Sequence, residues 1–226
     1  MKLAICCPTR KLKSGAGRPR DPAKEDAILA AARDSFFERG VAASTIEDIA
    51  QRACVSKVTV YNRFGDKETL FEQVVRAETG RMAATLDADP DGKASFETRL
   101  NAFGASLLAH MFSPDHVAFD RTLMADLSQN HALSERFFAA GPGHCRARLG
   151  DVIAQAQEAG LISVDDPERA AEDLTSLWKG FADVELKFGV VNNVCEDAIR
   201  DKVARGTRVF LRAYAPRTTT EQENGE

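Results

Sequence analysis

Long hydrophobic runs are missing from this chain of 226 residues, whose apolar stretches fall far short of the roughly 20 residues needed to cross a bilayer. A soluble protein is expected. A secretory leader is missing too, because only Leu3 to Cys7 separate Lys2 from Pro8 and Arg10, less than the about 7–15 apolar residues of a signal core. A cytoplasmic location is therefore expected, with no membrane partner. The five cysteines, Cys6, Cys7, Cys54, Cys145 and Cys195, form no CxxC pair, and their odd number reads as free thiols. None of the four histidines, His110, His116, His131 and His144, belongs to an HExxH or similar chelating pair. No metal and no cofactor are expected. Nor does any nucleophile–base pair or phosphate loop point to an enzyme.

The charge is divided. Residues 1–80 carry 14 Lys/Arg against 11 Asp/Glu, whereas 81–226 carry 16 against 23, within a net charge of −4. The basic excess gathers in Lys2, Arg10, Lys11, Lys13, Arg18 and Arg20, among Pro8, Gly15, Gly17 and Pro19. Residues 1–20 thus read as a flexible basic arm, which either follows a phosphate backbone or is simply solvated.

Helical periodicity dominates the rest of the chain, so the fold class is all-α: a three-helix N-terminal domain over 21–66 and a larger helical domain over 67–215. Asp21 and Pro22 begin a first helix running to Gly40, and Thr45 caps a second while Asp48 reaches back to it. A third helix ends near Phe64, and a connecting helix spans 67–86. Further helices are predicted at about 94–112, 115–129, 131–140, 143–159, 167–188 and 196–214, with a disordered polar tail at 216–226.

Two short helices joined by a turn of about four residues, behind a longer helix, form the unit that lays its second helix in the DNA major groove. At 45–64 the core of that unit is Ile46, Ile49, Ala50, Val55, Val60 and Phe64. Ser56, Lys57, Val58, Thr59, Tyr61, Asn62 and Arg63 are left on or near the exposed face. Their hydroxyls and cations suit phosphates, while Asn62 suits an adenine edge and the methyls of Val58 and Thr59 suit thymine.

Residues Ile28, Leu29, Ala31, Ala32, Phe36, Gly40, Thr45, Ile49, Ala50, Val55, Ser56, Tyr61, Phe64, Lys67, Leu70 and Phe71 resemble the signature of TetR-type regulators over about 22–72. The resemblance implies a helix-turn-helix regulator of transcription that binds double-stranded operator DNA as a homodimer and is released by a small effector. It also implies phosphate contacts from Thr45, Ser56, Tyr61 and Lys67, and base or groove contacts from Lys57, Val58, Thr59 and Asn62. Because a cation gains nothing from the dipole at a helix start, a phosphate partner explains Lys67 better than helix stability does. Cys54 and Val58 depart from glycines frequent in the family. A positive φ at Cys54 would carry strain, and its thiol is either a small buried group or a redox sensor.

In the helix at 167–188 the apolar residues Ala170, Leu174, Leu177, Phe181, Val184 and Phe188 form one stripe, and Ile199, Val203, Gly206 and Phe210 form another in the last helix. With Gly206 admitting a close neighbour, both stripes are expected at a four-helix dimer interface. The alternative is internal packing. Phe103, Leu107, Met111, Phe119, Met124, Phe137, Phe138 and Trp178 either line a cavity for an apolar or aromatic effector or are plain core. An activator, or a scaffold that has lost DNA binding, remains open from sequence.

Overall fold

Pro22 stands at the first helical position of α1 (Pro22–Ala43), where its missing N–H costs nothing, although Asp21 makes no side-chain capping bond. Gly40 then breaks the helix with φ 82°, a conformation open chiefly to glycine. Thr45 caps α2 (Ile46–Arg52) by accepting the Asp48 N–H at 3.2 Å, and Asp48 itself turns to Arg39, 3.1 Å away, instead of reaching back. Ser56 caps α3 (Lys57–Phe64) by accepting the Thr59 N–H at 3.1 Å. At the start of α4 (Lys67–Asp87), Asp66 accepts the Thr69 N–H at 2.6 Å, and these bonds hold its carboxyl below the usual range.

This computed structural model describes residues 21–87 and 93–216, and no strand occurs among them. The basic arm at 1–20, the segment 88–92 and the tail from 217 lie outside the described residues. Helices α5 (Phe96–Met111), α6 (Pro114–Gln129), α7 (His131–Ala140) and α8 (Pro142–Glu158) follow as expected from sequence. The predicted helix at 167–188 is in fact two, α9 (Pro167–Lys179) and α10 (Ala182–Lys187), because Gly180 adopts φ 49° and turns the chain. α11 (Glu196–Ala213) closes the fold.

Two apolar cores result, divided elsewhere than at residue 66. The first joins Ile28, Phe36, Ile49, Val60 and Phe71 of α1–α4 to Phe119 and Leu123 of α6 and Leu133 of α7. The second gathers Leu100, Phe103, Ile153, Trp178, Val203 and Phe210 from α5, α8, α9 and α11. Helix α6 is therefore packed into the DNA-binding half. It approaches α1 so closely that a Cβ on Gly40 would lie 2.5 Å from Thr122 Cγ2.

The stripes resolve differently from expectation. Ala170, Leu174, Ile199, Val203, Gly206 and Phe210 are buried in the protomer's own second core, a correction to their place at a subunit interface. Gly206 does admit a close neighbour, but the neighbour is Trp178, whose Cδ1 would lie 2.8 Å from an added Cβ. Leu177, Phe181, Val184 and Phe188 are exposed, and so are Val190 and Val209.

Candidate nucleic-acid interface and internal cavity

Val60 and Phe64 anchor α3 in the first core, which leaves Lys57, Val58, Tyr61 and Asn62 on its open face, with Thr59 half-buried beside them. Lys57 pairs with Glu47 of α2 and lies 5.5 Å from the Tyr61 ring centre. Hydrogen bonding to that carboxylate raises the Lys57 pKa and lowers that of Glu47. Thr45 and Ser56 are exposed while serving as helix caps. Between α2 and α3, Cys54 takes φ 52°, a left-handed conformation that costs a non-glycine residue strain, and its exposure leaves it outside the core.

Two expected contacts have other partners. Arg63 points back to α1, where its guanidinium meets Glu25 at 3.1 Å with only 15% of the side chain exposed. Lys67 donates to the Ala42 and Ser44 carbonyls, each at 3.1 Å, and so satisfies acceptors left open where α1 ends. Its position at a helix start is thus explained by the preceding helix. The signal lay in tertiary packing that no spacing rule carries.

Above this unit lies a cavity of about 530 Å³. Phe103, Leu107, Met111, Phe119, Met124, Phe137 and Phe138 line it, whereas Trp178 does not. Trp178 is fully buried in the second core and donates from Nε1 to Thr207 Oγ1 at 3.0 Å. Phe36, Phe37, Phe71, Val74 and Val75 supply much of the floor, so α1 and α4 of the DNA-binding half form part of the wall. Phe37 stacks on Phe119 with ring centres 4.2 Å apart.

Sequence reasoning missed the polar part of the lining: Glu78, His110, His116, Asp120, Arg146, Glu172, Lys179 and Lys187. Most are engaged. Glu78 meets Arg33 at 3.3 Å and Arg81 at 2.6 Å, Arg146 meets Glu172 at 2.6 Å, and Asp120 meets Lys187 at 3.3 Å. Burial, with help from the adjacent His116, pushes the His110 pKa down to about 4. His116 is lowered too, by burial against the opposing pull of Asp120, whose carboxylate is 3.5 Å from Nε2. Cys145, also in the wall, is raised by burial to about 11 and stays a thiol, which makes it a poor nucleophile. Among the described residues, no group of three or more His, Cys, Asp or Glu could hold a metal, and no helix is long and apolar enough to cross a membrane.

A capped helix-turn-helix that shares a cavity with the helical domain joined to it is the arrangement of a DNA-binding regulator. Residues 28–74 match the bacterial regulatory proteins of the tetR family, and residues 98–216 match the C-terminal domain of AefR-like transcriptional repressors. The chain belongs to the TetR family of helix-turn-helix transcriptional regulators, whose members regulate transcription and are not enzymes. It is 46% identical over 60 residues to the HTH-type regulator YdeS of Bacillus subtilis, a match spanning 26% of this chain and 30% of that protein. A TetR-family regulator from Mesorhizobium loti superposes with a TM-score of 0.72 at 25% identity, covering 88% of this chain and all of that one. The flavonoid-responsive regulator FrrA superposes at 0.68 with 29% identity and the same coverage.

Proposed function

We propose that this protein is a homodimeric repressor that binds a palindromic operator and leaves it when a small apolar or aromatic molecule enters the cavity. One observation carries the reading: Phe36 and Phe37 of α1 and Phe71, Val74 and Val75 of α4 belong to the cavity wall and to helices that hold α3 in place. A ligand that moves this wall moves the recognition helix. Two such helices must stand roughly 34–36 Å apart to enter successive major grooves, so small shifts suffice to spoil the fit. On this reading Tyr61, Thr45 and Ser56 contact phosphates, Lys57 exchanges Glu47 for a phosphate, and Val58, Thr59 and Asn62 meet the bases. The second copy packs on the exposed Leu177, Phe181, Val184, Phe188, Val190 and Val209. A cytoplasmic location accompanies the role, since bacterial operators lie there.

The test is a titration of ligand with and without operator DNA. FrrA's responsiveness makes flavonoids the first compounds to try. Reciprocity requires operator to weaken ligand binding by the factor with which ligand weakens operator binding, typically about 5–150-fold. Equal ligand affinities in the two titrations would refute the reading.

A further inference from the structure

We infer that the cavity takes a flat, uncharged aromatic molecule bearing a hydroxyl group, and that His110 is the residue that recognises this hydroxyl. The inference deepens the effector reading of the cavity and rests on it. The body of the ligand follows from the wall, where the Phe37–Phe119 stack and the nearby Phe71–Phe137 pair, with rings 6.0 Å apart, offer flat apolar faces. Its lack of charge follows from the lining, where Glu78, Asp120, Arg146 and Lys187 already hold counter-ions. An added charge at any of these four would have to break its pair while losing its own hydration, which leaves Lys179 as the one lining cation among the described residues that an anion meets without displacing a partner.

The hydroxyl follows from His110. Among the described residues its ring makes no hydrogen bond, although it is half-buried, lines the cavity and lies with its centre 4.5 Å from that of His116. His116 is held by Asp120, and its Nδ1 is buried without a hydrogen-bond partner. The low pKa of His110 keeps its imidazole neutral at pH 7, with one nitrogen that donates and one that accepts. A hydroxyl both donates and accepts, so it meets either nitrogen; a carboxylate cannot donate, and an ammonium cannot accept. The competing anchor is Lys179, which lines the cavity in the last turn of α9 and makes no ion pair among the described residues. The helix C-terminus already favours its charge.

The experiment compares 4-hydroxybiphenyl, 4-methoxybiphenyl and biphenyl-4-carboxylate by calorimetry on the whole chain. The hydroxyl compound should bind at least about tenfold tighter than the other two, since a site built to hydrogen-bond a hydroxyl rejects analogues that lack it. His110→Phe should bring the hydroxyl compound to the level of the methoxy compound while leaving the latter within about twofold. Labelling the histidine nitrogens of the unaltered protein gives a second readout: the His110 nitrogen shifts should change far more with 4-hydroxybiphenyl, which fixes one tautomer, than with 4-methoxybiphenyl. Equal affinity of these two, or a preference that survives His110→Phe, overturns the role of His110 and leaves the cavity reading standing. Tightest binding of the carboxylate overturns it in favour of Lys179. Binding of none of the three overturns the inference and leaves the effector reading to the paired titrations with operator DNA.

Discussion

Asp126 of α6 accepts the backbone N–H of Val41 at 2.8 Å, and the same oxygen accepts that of Ala42 at 3.0 Å, just past the Gly40 break in α1. One carboxylate on a helix that also lines the cavity thus holds the end of the helix that supports α2. Asp126→Ala leaves both N–H groups without this acceptor and should destabilise the chain by roughly 1–3 kcal/mol. It should also shrink the factor by which ligand weakens operator binding, with ligand affinity in the free protein unchanged. Paired titrations read both quantities, and an undiminished factor would exclude α6 as a route of coupling.

Lys67 and Lys57 should separate stability from DNA affinity. Lys67→Ala leaves the Ala42 and Ser44 carbonyls open and should lower the melting temperature without DNA, for a loss of roughly 1–2 kcal/mol. Lys57→Ala should leave the melting temperature nearly unchanged, because an exposed pair with Glu47 contributes little. Instead it should weaken all DNA sequences alike and reduce the salt slope by about one unit. Melting curves and a salt series on both variants check the division; a Lys67→Ala protein as stable as its parent contradicts it.

Phe181→Glu and Phe210→Glu should fail in opposite ways. Phe181 is 79% exposed, so a charge there should leave the protomer folded and split the dimer. Phe210 is wholly buried in the second core, where an unpaired carboxylate costs several kcal/mol and should unfold the protein. Light scattering with circular dichroism distinguishes a helical monomer from an unfolded chain. A Phe181→Glu dimer would place the partner elsewhere.

His110 should make stability fall in acid. Its folded pKa of about 4 lies below the ordinary 6.5, so between those values the unfolded chain binds a proton that the folded chain does not. Stability is therefore full above about pH 6.5 and declines as pH falls towards 4, by on the order of 3 kcal/mol. His116 shifts in the same direction. Urea unfolding at about pH 7 and pH 4.5 should show a smaller loss for His110→Phe than for the parent. An equal loss would place the acid sensitivity on other groups.

The local part of this molecule was legible in the sequence alone. Thr45, Val60 and Phe64 follow from a unit only about 20 residues long, in which spacing determines neighbours, whereas the positive φ at Cys54 was suggested only by the glycine frequent there in the family that the sequence resembles. The cavity's apolar wall was half visible, because Phe103, Leu107 and Met111 repeat at helical intervals on α5, yet the large apolar residues proposed beside them included Trp178, which faces the second core. His110 and His116 carry no chelating pattern in the sequence, and nothing there singles out Asp120 or Lys187; only the packing of α5, α6 and α10 brings the four together. Periodicity likewise read through Gly180, since it counts residues and does not see a helix axis turn.

Trp178, the chain's only tryptophan, fits where Gly104 and Gly206 leave room for its ring, away from the cavity wall. The protein therefore carries an internal fluorophore confined to its second core. Denaturation followed at tryptophan wavelengths traces the melting of α5, α9 and α11, while operator binding, followed on labelled DNA, reports the integrity of the first core. Midpoints that coincide in denaturant would mean that α6 and α7, which join the first core from the C-terminal half, weld the two cores into one cooperative unit.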